Sequence, residues 1–167
     1  MEDKEKISTV EELINGENQE SFIKLLNAVE RKQRILLIGQ IGAHGLATLA
    51  STLLMQGDSQ GMTYEIFDAE LMKDRRGMGK LYTAHIQSEE EICKLLSLWA
   101  NGDSGIATMY ADALDHAFQK IDKALKKYSI KDPTAFMNCT IDVICMVENE
   151  DESCQNSVIR DIIVMHQ

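Results

Sequence analysis

The stretch 34-RILLIGQIGAHGLATLASTLLM-55 decides how the chain is read. Ile35 to Ile38 are apolar and suit a short strand. Gly39, Gly42 and Gly45 then make a poor helix segment, since each glycine costs about 1 kcal/mol against alanine. Leu46 to Met55 is rich in Leu and Ala and predicts a helix, which 57-GDSQG-61 ends. The next apolar segment, 63-TYEIFD-68, predicts a second strand. The order is strand, glycine turn, helix, strand. Such a turn can point backbone N–H groups at an anion, and the helix N-terminus adds partial positive charge. The spacing, however, is GxxGxxG: it is not the dinucleotide fingerprint GxGxxG, and no GK[ST] follows to complete a Walker A loop. The alternative is that the glycines let two backbones pack closely.

Working outward, Thr9 with Glu12 has capping-box spacing, and Val10, Leu13 and Ile14 give one apolar turn before Asn15-Gly16. Residues 1–8 are charged and expected to be a disordered tail, leaving 9–167 as one domain. A helix is expected from Ser21, with Phe22, Leu25, Leu26 and Val29 on one face. C-terminal to the glycine stretch, 73-KDRRGMGK-80 predicts a loop and 81-LYTAHI-86 a strand. Ser88 and Glu91 form a second capping box, followed by a helix carrying Ile92, Leu95, Leu96 and Trp99. Residues 104–128 carry an apolar stripe from Ile106 through Tyr110, Leu114 and Ile121 to Leu125, and predict one long amphipathic helix. After Pro133 the odd positions from Ala135 to Val147 are all apolar, which predicts a long half-buried strand. The acidic turn 148-ENEDESCQN-156 then leads to a returning strand over 157–166. The expectation is an α+β fold: a single compact domain with N-terminal helices, a strand–glycine-turn–helix–strand unit, a long amphipathic helix and a C-terminal antiparallel β-hairpin.

Composition bounds the function. The chain has 167 residues, 44% of them apolar, with a net charge of −10 and a pI near 4.8. Such a field repels nucleic-acid backbones. The best basic face (Lys120, Lys123, Lys126, Lys127 and Lys131) lies where cations complement a helix dipole. The start MEDKEKIS lacks the apolar core of a signal peptide, and no apolar run reaches membrane-spanning length. Cys93, Cys139, Cys145 and Cys154 match no metal or redox spacing and read as reduced thiols, so the expected location is the cytoplasm. Cys139 and Cys145 would sit roughly 20 Å apart on one strand. Asp112 and His116 share a helix face but are too few for a metal site.

The candidate ligand-binding residues are Gly39, Gly42, His44 and Gly45 in the turn, with Arg75, Arg76 and Lys80 in the basic loop. Arginines grip a carboxylate or phosphate through paired N–H bonds, so that loop would be the second jaw of an anion site. The segments 35-ILLIGQIGAHGLATLA-50, 75-RRGMG-79 and 81-LYTAHIQS-88 are similar to the gamma domain of 2-oxoacid:ferredoxin oxidoreductases. That resemblance implies a small-molecule-binding domain or enzyme subunit. Two readings stay open. One is a non-enzymatic protein-interaction domain: an acidic adaptor, inhibitor, immunity-type or chaperone-like protein, with a partner protein or a second copy as its target. The other is a nucleotide- or phosphate-binding domain using the glycine turn. The cofactor is unknown on either, and neither metal, nucleic acid nor membrane is expected.

Overall fold

The computed structural model describes residues 18–40, 44–57, 63–65, 81–149 and 157–165. The chain enters through α1 (Gln19–Glu30), which buries Phe22, Leu25, Ala28 and Val29 on one face. It reverses at Lys32, whose φ is +55°. The N–H of Gln33 donates to the Ala28 carbonyl at 3.0 Å, and that of Lys32 to the Val29 carbonyl at 2.9 Å, so two end carbonyls are satisfied. β1 (Arg34–Gly39) follows immediately.

Next come α2 (His44–Gly57), β2 (Thr63–Glu65), β3 (Leu81–Ile86) and α3 (Glu89–Ala100). The second half supplies β4 (Ser104–Tyr110), α4 (Leu114–Lys127), α5 (Pro133–Thr140), β5 (Val143–Asn149) and β6 (Ser157–Val164). The strands form one sheet in the order β2-β3-β4-β1-β5-β6. The first five are parallel, and β6 runs antiparallel to β5. β1 is central, with Gly39 in register with Tyr110 on one side and Val147 on the other.

Both faces of the sheet are covered. Leu25 and Val29 of α1 and Leu46, Leu49 and Leu53 of α2 pack on Ile35, Leu37, Ile106 and Cys145. On the opposite face Trp99 of α3, Ile121 and Leu125 of α4 and Met137 of α5 pack on Leu36, Ile38, Ala107 and Ile144. Trp99 is fully buried; burying a large apolar side chain contributes about 1.5–3 kcal/mol. Alternate residues of β1 therefore serve two cores, which is why its apolar run is unbroken.

Helices and strands mix in one compact α+β domain with a C-terminal antiparallel hairpin, as the sequence leads one to expect. The order β1, α2, β2 also holds, but β4 and β3 lie between β1 and β2 in the sheet. Two boundaries need correction. Residues 104–110 are a strand, so the long amphipathic helix begins at Leu114. The glycine responsible is Gly102, at φ +99°, which reverses the chain after α3 and feeds β4. Residues 133–140 are a helix, started by Pro133 and by the Asp132 carboxylate accepting from the Ala135 N–H at 3.0 Å. The strand begins at Val143. Cys139 is consequently exposed on α5 rather than facing the core with Cys145. Thr9–Glu12, the tail 1–8, the loop 73–80, the acidic tip from 150 and Cys154 lie outside the described residues. Among those described, no helix is long and apolar enough to cross a membrane.

Candidate functional site

Parallel strands that send their following helices to opposite faces leave a crevice beyond their C-terminal ends. β1 leads to α2 on one face and β4 leads to α4 on the other, so the crevice opens above Gly39 and Tyr110. Gly39 is buried, and its carbonyl accepts the Ala111 N–H at 2.8 Å, which closes the two strand ends together. α2 begins at His44 with Gly45 buried in its first turn, and no acidic residue offsets the positive end of the helix there. The segment is thus a strand, a short connection and a helix N-terminus rather than one continuous helix.

The structure brings Gly39, His44 and Gly45 to this edge. Gly42, Arg75, Arg76 and Lys80 lie outside the described residues, as does the 75–79 segment of the gamma-domain resemblance. Apart from His44, no basic side chain occurs between residues 35 and 55. Other polar side chains reach the same edge from other elements. His85, near the end of β3, has Nδ1 2.7 Å from Thr108 Oγ1 on β4. Its ring meets Tyr110 edge-on, with centroids 4.7 Å apart. Lys120 of α4 donates from Nζ to the Tyr110 carbonyl at 2.7 Å.

A pocket of about 500 Å³ lies beside these groups, lined by His85, Gln87, Glu89, Met109, Tyr110 and Lys120 among others. Its rim is fixed by the start of α3. Ser88 Oγ accepts the Glu91 N–H at 3.2 Å, and the Glu91 carboxylate accepts the Gln87 N–H at 2.6 Å. Glu89 meets Lys127 Nζ at 2.8 Å and Lys123 Nζ at 3.0 Å. Hydrogen bonds from Lys127 and then Lys123 hold its carboxyl below the usual carboxylate range.

His85, Thr108, Tyr110 and Lys120 are absent from the sequence-derived set. Thr108 and Tyr110 stand two apart on a strand, and that spacing was the available signal; it was hidden once 104–128 was read as helix. The thiols of Cys93 and Cys145 are held in their protonated form. Burial pushes Cys145 up to about 12, and burial together with the Glu89 charge raises Cys93. Asp112 and His116 form an exposed pair at 3.8 Å, and no cluster of three or more metal-ligating side chains occurs among the described residues.

No family model matches the chain, and no curated protein matches it. Among solved structures it is similar to the VirB11 ATPase from the Brucella suis type IV secretion system, a crystal structure in complex with sulphate. The TM-score is 0.71 at 14% identity, over 89% of this chain and 54% of that one. The chain therefore spans about half the length of the structure it matches. At that identity the likeness establishes a shared fold.

Proposed function

We propose that this chain acts by binding an oxyanion-bearing small molecule, of the phosphate or nucleotide type, at the C-terminal edge of its parallel sheet. The observation that carries this reading is the run from buried β1 through Gly39 to the N-terminus of α2, placed where β1 and β4 send their helices to opposite faces. Backbone N–H groups and the helix dipole favour an anion there. The sulphate named with the VirB11 ATPase structure supports the choice of ligand class. The turn has no lysine and no following GK[ST], so the phosphate-gripping cation of a Walker A loop is missing. The reading is therefore a binding domain that does not turn its ligand over, with Arg75, Arg76 and Lys80 as candidate contacts.

The test is titration with sulphate, pyrophosphate, ADP and ATP, followed by amide NMR and by assay of released phosphate. Saturable shifts at residues 39–45 without phosphate release support the proposal. Silence of those amides at millimolar ligand, or steady turnover of ATP, overturns it.

A second reading, protein interaction, rests on β6. Among the described residues it pairs only with β5, and Val164 is 49% exposed. An open edge strand accepts another strand, including that of a second copy. Native mass spectrometry distinguishes a dimer from a monomer. The thiols of Cys93, Cys139 and Cys145 support a place in the reducing cytoplasm. The net charge of −10 supports partners other than nucleic acid.

A further inference from the structure

The pocket between the ends of β3 and β4 and the helices α3 and α4 has a mixed lining: Met109 and Ile92 are apolar, while His85, Tyr110 and Lys120 are polar. His85 is oriented from behind by Thr108, which engages Nδ1 and leaves Nε2 for another partner. A neutral imidazole in that pose offers one donor in total. A protonated one donates from both nitrogens and brings a full positive charge.

We infer that the oxyanion held at the start of α2 also reaches this pocket, across the neighbouring strand ends where Gly39 stands in register with Tyr110, and that His85, held by Thr108, is the contact that makes binding depend on pH. The inference rests on the ligand-binding reading above and adds to it a regulated cation. The groups around His85 set the sign. Tyr110 faces it from β4. Lys120 of α4 is tied to the Tyr110 carbonyl. Lys123 shares Glu89 of α3 with Lys127. Glu65 of β2 stands in register with Thr83 on β3, and α2 begins with His44. The fixed lysine charges at the pocket are thus engaged with partners, and the chain as a whole is strongly acidic. The charge that changes in the physiological range is an imidazole. An anion is held more tightly when that ring is protonated, so affinity rises as pH falls.

Sulphate is the probe, because its own charge is constant across the range. Its affinity is measured at about pH 5.5 and at about pH 8, where a free imidazole is mostly protonated and mostly neutral respectively. The expected result is about tenfold tighter binding at the lower pH, within the usual span of coupling between two sites. Ring resonances of His85 should respond to sulphate at the lower pH. His85→Gln should flatten the pH dependence, and His85→Lys should bind at both pH values alike; amide spectra of both variants report whether they remain folded. Equal affinity at both pH values in the natural protein overturns the inference but leaves the ligand-binding reading intact. So does a pH dependence that survives in His85→Gln, or sulphate shifts confined to residues 39–45. Absence of sulphate binding at either pH overturns both.

Discussion

At the N-terminal end of the sheet, charges close on one another. Arg34 donates from Nε to Asp142 Oδ2 at 2.8 Å and from its terminal nitrogen to Oδ1 at 2.7 Å. Its backbone N–H adds a third bond to the same carboxylate at 2.8 Å, and the remaining nitrogen reaches the Trp99 carbonyl at 3.2 Å. The hydrogen bond to Asp142 raises Arg34 above its ordinary range. At the C-terminal end, by contrast, His85, Tyr110 and Lys120 line an open pocket. One edge of the sheet is closed by a clasp at the start of β1 and β5, and the other is open at the ends of β3 and β4. Stability and binding should therefore respond to different substitutions.

The largest effect belongs to the clasp. Asp142→Ala leaves the Arg34 guanidinium without its carboxylate partner at a position where the two side chains are 20% and 18% exposed. Breaking a fully buried pair costs 3–5 kcal/mol, and partial exposure lowers the expectation to about 2–3 kcal/mol. Urea denaturation measures it, and sulphate affinity should not change. A loss within about 0.5 kcal/mol, the range of ordinary surface changes, would reduce the clasp to decoration. Thr108→Val acts at the other end. Removing the hydroxyl that orients His85 should cost about 1 kcal/mol of stability, yet weaken sulphate binding severalfold. If Thr108→Val and Asp142→Ala weaken sulphate equally, the two ends are not separable.

A smaller effect of opposite sign is expected at Lys32, which holds φ +55° between α1 and β1. Glycine adopts that conformation freely, so Lys32→Gly should stabilise the chain by about 0.5–1 kcal/mol. Thermal unfolding decides it. The last prediction concerns Glu89 at the pocket rim. Its folded pKa lies below its ordinary 4.5, so its pairing contributes above that pH and is lost as pH falls through the folded value. Glu89→Gln should therefore be less stable than the natural protein at neutral pH and equal to it in strong acid. A gap that persists in acid would mean that packing, not charge, is what Glu89 supplies.

The legibility of this fold followed burial geometry. β1, α2, α3 and β6 were readable because a single pattern described each. β4 was not, because every residue from Ser104 to Met109 is buried. A strand packed on both faces shows no alternation, and Ile106 and Tyr110 also fit a helical stripe continued by α4. The opposite error occurred at 135–147. Alternating apolar residues ran on through Cys139 and Ile141 into β5, while Asp132-Pro133, a helix start, was read only as a break. At the site, Gly39 and Gly45 were visible because glycine after an apolar strand is a local signal. His85 and Thr108 were not, because their meeting depends on register between β3 and β4, and register is a property of two segments at once.

The clasp has a further consequence, for the order in which the molecule can assemble. Arg34 meets Trp99 and Asp142 across 65 and 108 positions of chain. The central strand therefore acquires its first neighbour only after β4 exists, and its second only after β5. Until then Ile35 to Ile38 have no sheet to join. Folding of such a topology waits on long loop closures and is slow for its size. An emerging chain would therefore expose the apolar run Ile35 to Ile38 until β4 and β5 follow, an interval in which aggregation competes with folding.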